Sequence, residues 1–228
     1  MDTALVASNL EQVRETLRTA SEGRFPPPKL IVVTKTHPAE DLLFLRDLGV
    51  TDVGENRVQE IREKLSLFQG IFQIHQIGRL QSNKVKYIIE DVSLIQSVDR
   101  LSLAEEIDRQ ARAHERVMPV LVQVSPAGEE QKGGMPPDEV RSFLDAVRKL
   151  PGLKVRGLMA VMPHSPDRVY LTGLFQNMRR LFEQLQSEAV AGVDMQELSM
   201  GMSGDYALAA ACGATMVRVG SAILGPRG

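Results

Sequence analysis

The sequence predicts an α/β protein: a single (β/α)₈ TIM barrel occupying residues 1–228, with one extra helix at its N-terminus. Three observations carry this. Short apolar runs alternate with helix-period segments eight times, and such alternation demands a parallel sheet. The chain has 228 residues, near the roughly 250 usual for such a barrel. No linker, low-complexity tract or internal repeat divides it. An open doubly wound sheet is the second reading, but eight parallel strands without a long insertion favour closure.

The elements follow in order. Residues 4–20 place Val6, Leu10, Val13 and Leu17 on one helical face, and Pro26, Pro27 and Pro28 end that region. LIVVTK at 30–35 is a continuous apolar run closed by a threonine and a lysine, and it reads as the first strand. Residues 38–48 read as helical, opened by Pro38 and stopped at Gly49. TDVGE at 51–55 is the second strand, and the helix after it uses Val58, Ile61, Leu65 and Phe68. FQIHQIG at 72–78 is the third strand, followed by helical QSNKVKYIIED. VSLIQSV at 92–98 is the fourth, and Asp99 is placed to cap the helix carrying Leu103, Ile107 and Ala111.

MPVLVQV at 118–124 is β-branched and reads as the fifth strand. Pro137 opens a helix with Val140, Phe143, Leu144 and Val147, stopped by Pro151-Gly152. KVRGLMAV at 154–161 is the sixth strand, and a long amphipathic helix follows through Leu171, Phe175, Met178, Phe182 and Leu185. QELSM at 196–200 is the seventh, Ser203–Cys212 a helix closed by Gly213, and TMVRVG at 215–220 the eighth. Too few residues follow for a full last helix, and the N-terminal helix is placed to fill that gap.

Composition narrows the function. Apolar residues make up 43%, charged residues 25%, and the net charge is −2, which points to neither nucleic acid nor an anionic membrane as a partner. The single cysteine, Cys212, allows no internal disulfide and reads as a core residue. No apolar run approaches the roughly 18 residues of a membrane span. The N-terminus, with Asp2 and no basic region, does not read as a signal peptide, so the expectation is a soluble cytoplasmic monomer. No HExxH, CxxC, Walker or GxSxG pattern is present, and His37, His114 and His164 lack metal-ligand spacing. His75 reads as a hydrogen-bonded core histidine.

Chemistry in such a barrel sits at the C-terminal ends of the strands. There the sequence puts Lys35, Glu55 and Asn56, Gly78, the loop SMGMSG from Ser199 to Gly204, and RVGSAILG from Arg218. The two last loops combine glycines with the hydroxyls of Ser203 and Ser221, and backbone N–H groups exposed at Gly220 would make an anion cradle. Ser203 is placed at a helix start, which favours an anion. Ordinary capped turns explain the same glycines equally well. Lys35 is either a solvated charge or, with its stem among apolar neighbours, an amine freed to attack a carbonyl. A reactive lysine opposite a phosphate cradle fits pyridoxal phosphate (PLP) or a sugar phosphate. Arg218 would suit the ring nitrogen of PLP, which it could not protonate, or else closes the barrel through a salt bridge, the reading that spacing favours. Met200 and Met202 pack either around a ligand or into the barrel top.

Seven stretches, taken together, carry a resemblance: VTKTHP at 33–38, GENRVQE at 54–60, HQIGRLQSNK at 75–84, QVSPAGEEQKGG at 123–134, RGLMAVMP at 156–163, LSMGMSGD at 198–205 and TMVRVGSAILGPR at 215–227. The chain resembles the YggS/PROSC family of PLP homeostasis proteins, in that family's order and over nearly its whole length. The resemblance implies a barrel of the alanine racemase N-terminal type, with PLP bound to Lys35 as a Schiff base. It implies Arg218 at the pyridine nitrogen, Ser203, Gly220 and Ser221 at the phosphate, Ser199 and Met200 nearby, and Asn56 close to the ring. Gln81, Lys84 and Lys132 match family-typical positions near the mouth, without an assigned chemistry. His37 stands where the family often has a second lysine, Arg57 where it has a tyrosine, Ile74 for an aromatic residue, Ser125 for an asparagine, Gly204 for an acidic or small residue, and Ser221 for threonine. The His37 and Arg57 changes bear on any secondary-site or transfer role.

The implied function is PLP storage and delivery without strong catalysis, with apo-enzymes as transient recipients. Racemisation needs a base on each face of the substrate. Alanine racemase takes its second base from a tyrosine of another domain, whereas Tyr87, Tyr170 and Tyr206 here fall on helices or helix starts. A weak racemase, a Schiff-base aldolase and an interaction protein with an empty barrel top are the alternatives.

Overall fold

The computed structural model describes residues 1–128, 133–189 and 192–225. Eight parallel strands, β1 (Lys29–Val33), β2 (Asp52–Glu55), β3 (Gln73–Gln76), β4 (Leu94–Val98), β5 (Met118–Val124), β6 (Leu153–Ala160), β7 (Val193–Ser199) and β8 (Met216–Val219), close in chain order into a barrel. Each strand stands where an apolar run stood in the sequence. β4 and β8 are buried along their whole length, as strands covered on both faces must be.

The helices are α1 (Thr3–Ser21), α2 (Val58–Phe68), α3 (Leu101–Ala113), α4 (Val140–Val147), α5 (Arg168–Ser187), α6 (Tyr206–Ala211) and α7 (Ser221–Leu224). The predicted faces are the buried ones: Val6, Leu10, Val13 and Leu17 of α1, and Leu171, Leu174, Phe175, Met178, Phe182 and Leu185 of α5. α1 packs against α6 and the short α7, and Asn9 Nδ2 donates to the Ile223 carbonyl at 3.1 Å. The N-terminal helix therefore completes the outer ring where the eighth helix is only four residues long.

Four expectations need correction. The stretch 38–48 is a 3₁₀ helix over Glu40–Leu45, and the one after β3 is a 3₁₀ helix over Ser82–Tyr87. The first has buried anchors at Leu42 and Leu45, and the second has Val85 with Ile88 just past its end, a spacing of three that suits three residues per turn. Asp99 does not cap α3: Arg100 is the capping residue and makes no side-chain cap, while Asp99 accepts from the Arg100 guanidinium at 2.6 Å. Finally, α6 starts at Tyr206, so Ser203 lies in the preceding turn and not at a helix N-terminus.

One apolar layer fills the space between sheet and helices. A separate cluster, Ile31, Leu94, Leu121, Met159 and Met216, draws one residue each from β1, β4, β5, β6 and β8 and fills the barrel interior. Among the described residues, no helix is long and apolar enough to cross a membrane and no side-chain group could hold a metal. Cys212 is buried, and burial pushes its thiol up, so it is an inert core group.

β6 carries a register shift against both neighbours, and Gly157 sits at it with φ +150°. A Cβ there would stand 1.8 Å from the Glu197 carbonyl oxygen of β7, so the two backbones touch where only glycine fits. Gly157→Ala should destabilise the barrel by about 3 kcal/mol or more, measured by urea unfolding.

Candidate functional site

β1 stops at Val33, and the chain turns sharply after it. Thr34 is buried, Lys35 is half-buried at the lip, and Thr36 takes φ +70°, a left-handed conformation unusual for a β-branched residue. Beside them opens a cavity of about 550 Å³ at the C-terminal end of the barrel. Lys35, Arg79 and Arg218 line it, and no aspartate or glutamate does, so among the described residues the mouth is cationic. Val33, Ile77 and Val161 give it an apolar wall.

Six of the eight residues expected at the site line this cavity: Lys35, Asn56, Ser203, Arg218, Gly220 and Ser221. The other two do not. Met200 is fully buried in the layer between sheet and helices, because its side chain packs outward from the barrel top. Ser199 is fully buried beneath the mouth, where its hydroxyl serves Arg218. Arg79, His37 and Gln123 line the cavity unforeseen. Arg79 follows Gly78 at the end of β3, and that position alone was the signal that marked it. Gln81 and Lys84 line an adjoining cavity of about 510 Å³ together with Arg57, while Lys132 lies outside the described residues.

The cradle forms from the two loops named from sequence. Ser203 Oγ accepts from the Gly220 N–H at 3.2 Å and the Ala222 N–H at 3.3 Å. Two backbone N–H groups thus converge on one hydroxyl oxygen and tie the two loops together. Gly220 lies close under β1: a Cβ there would be 3.1 Å from the Val33 carbonyl oxygen. Gly204 faces open space. The chemistry of this lining, an amine, hydroxyls, three cations and no carboxylate, fits a phosphorylated aldehyde.

Arg218 reaches the mouth from the core. Its guanidinium donates to Ser199 Oγ at 2.7 Å and to the Ala160 carbonyl at 2.9 Å, and burial lowers its pKa to about 10, which leaves it charged at neutral pH. Below it runs a chain of buried hydrogen bonds. Ser199 Oγ donates to Gln96 Oε1 at 2.6 Å, Gln96 Nε2 lies 2.9 Å from His75 Nδ1, and His75 Nε2 lies 2.9 Å from Asp52 Oδ1. With Gln96 Oε1 accepting from Ser199, its Nε2 donates to His75 Nδ1, which leaves Nε2 as the ring nitrogen that donates to the carboxylate. The core histidine read from sequence is this one.

At the foot of the chain, burial alone would push the Asp52 carboxyl up, but hydrogen bonds from His75 and Thr51 and the nearby Lys29 charge outweigh it and hold the pKa below the usual range. Under Lys35 a second polar group is buried. Lys64 Nζ lies 2.6 Å from Glu55 Oε1, which also accepts from Thr34 Oγ1 at 2.5 Å. Burial raises the Glu55 pKa despite the attraction of Lys64.

Fold and site together define a class: a closed parallel barrel with a lysine, two arginines and the glycine and hydroxyl loops after β7 and β8 around one C-terminal mouth. The chain belongs to the family described as alanine racemase, N-terminal domain, whose model matches residues 2–228. Within it, a "Pyridoxal phosphate homeostasis protein" of Aquifex aeolicus is 38% identical over 219 residues, covering 96% of this chain and 95% of that one. PipY of Synechococcus elongatus, solved with PLP bound, is 34% identical with a TM-score of 0.85, covering 96% of this chain and all of PipY. An alanine racemase from Bartonella henselae shares the fold at 11% identity and a TM-score of 0.78, with this chain spanning 60% of its length.

The Asp52 contribution has a defined pH window. Its folded pKa is depressed, so its stabilisation is present above the unfolded carboxylate value of about 3.9 and is lost as pH falls through the folded value. Asp52→Ala should therefore cost about 1–3 kcal/mol at pH 7, and the gap to the parent chain should narrow towards pH 3. Urea unfolding at the two pH values checks this.

Proposed function

We propose that this protein holds PLP covalently on Lys35 and serves intracellular PLP homeostasis, storing the cofactor and handing it to apo-enzymes. The observation that carries the reading is the cationic, carboxylate-free mouth that a strand-end lysine lines together with the glycine and hydroxyl loops after β7 and β8. Relatives named for PLP homeostasis, matched along nearly their whole length, support it. The bound cofactor would supply a reactive aldehyde and an electron-withdrawing ring.

The residues divide the work. Lys35 offers the amine. Ser203, Ser221 and the Gly220 backbone hold the phosphate, with Arg79 adding charge. Asn56 lies beside the ring. Arg218 faces the ring nitrogen, positioned from below by Ser199, and as a charged donor it gives that nitrogen no proton. An unprotonated ring is a weak electron sink, which suits a carrier better than a catalyst. A reducing cytoplasm fits the single buried cysteine.

A weak racemase is the second reading, and one observation favours it: His37 lines the same cavity as Lys35, and burial and the Lys64 charge lower its pKa, keeping it neutral and basic at pH 7. No tyrosine lines the cavity among the described residues.

Two experiments test these readings. Borohydride treatment of the protein with PLP should leave a pyridoxyl label on Lys35, found by peptide mapping, and none in Lys35→Ala. A label on another lysine, or no label, overturns the carrier reading. Deuterium exchange at Cα of the common amino acids should stay near background; fast exchange lost in His37→Ala would establish the racemase instead.

A further inference from the structure

We propose that Glu60 and Lys64, one turn apart on α2, are positioning residues that aim the Lys35 amine into the mouth. The inference rests on the reading that Lys35 is the reactive amine, and it names what directs it. Lys64 Nζ donates to the Thr34 carbonyl at 2.7 Å. Glu60 Oε2 accepts from the Thr36 N–H at 2.7 Å. These two groups belong to the peptide units on either side of the Lys35 Cα. A peptide unit is planar, so a hydrogen bond to each of the two planes narrows the φ and ψ open to Lys35 and, with them, the direction of its Cα–Cβ bond.

Both bonds are charge-assisted, hence stronger than neutral ones. Both come from one rigid helix at i and i+4, so they act as a single clamp. The geometry they hold is one the chain would not adopt unaided. Thr36 is one of three non-glycine residues with positive φ among those described, and its strain persists only because the Glu60 contact and the turn at the Thr34 carbonyl over-determine it. Lys64 is itself fixed: it is 5% exposed, and Glu55, fully buried, neutralises it from below. A long charged side chain is costly to bury, and a surface helix has no need of one. Its placement under Thr34 is explained if the lysine beyond must point one way.

The test separates aim from affinity. Stopped-flow absorbance with PLP over a range of concentrations yields the affinity of the first complex and the first-order rate of bond formation. Glu60→Ala should lower that rate about 10-fold or more, with the first affinity held within about twofold, because a misplacement of about 1 Å can cost up to 100-fold. Glu60→Gln keeps an acceptor for the Thr36 N–H and should restore most of the rate. Lys64→Met combined with Glu55→Gln removes the other half of the clamp without orphaning a buried charge, and should slow the same step. Labelling of Lys35 by trinitrobenzenesulfonate in the protein without PLP gives a second readout, in which Glu60→Ala should change Lys35 reactivity relative to the other lysines. If the parent chain fails to bond PLP at Lys35, the carrier reading falls and this labelling alone decides the clamp. An unchanged bond-forming rate, or unchanged Lys35 labelling, in Glu60→Ala would overturn the proposal.

Discussion

Closure of β8 onto β1 is the contact on which the mouth depends. Ile31 lies opposite Arg218 and Val32 opposite Val219, so the first and last strands run side by side. That pairing brings Lys35, near the start of the chain, into one cavity with Ser203, Gly220 and Ser221, near its end. An open sheet would leave these groups at opposite edges. The close fit of Gly220 under Val33 belongs to the same constraint, since a side chain there would push the two strands apart just below the lysine.

Beneath the mouth the interior is not uniformly apolar. The chain from Arg218 through Ser199, Gln96 and His75 to Asp52 carries hydrogen bonds from the cationic end of the barrel towards the start of β2. It begins in a group that can only donate and ends in a carboxylate that accepts, with a donor and an acceptor at each link between. Such a network is costly when a member is missing and specific when complete. Here it fixes the height and direction of a buried guanidinium that would otherwise have no reason to stay at the top of the barrel.

Much of this was legible in the residues. The β-branched runs, the helical faces of α1 and α5, and the N-terminal helix filling the outer ring were all marked by periodicity. The glycine and hydroxyl loops after β7 and β8 and the lysine at the end of the first apolar run were marked by position, and the structure brings them to one cavity. What was not legible depends on contacts between distant segments. Nothing in GENRVQE tells that Glu60 would reach the backbone beside Lys35, or in VSLIQSV that Gln96 would join His75 to Ser199. For Met200 the residues left packing around a ligand and packing in the barrel top both open, and the closed barrel puts its side chain in the apolar layer between sheet and helices. The 3₁₀ segments were misread because anchors three residues apart serve either helix type over so short a span.

The central claim is that barrel closure brings Lys35 and the loops after β7 and β8 together to line one mouth. A crystal structure of the protein grown with PLP tests it most directly. The account predicts continuous density from Lys35 Nζ into the cofactor, with the phosphate against Ser203, Gly220 and Ser221 and the ring edge towards Arg218. Cofactor density joined to another lysine, or a phosphate lying outside the loops after β7 and β8, would contradict it.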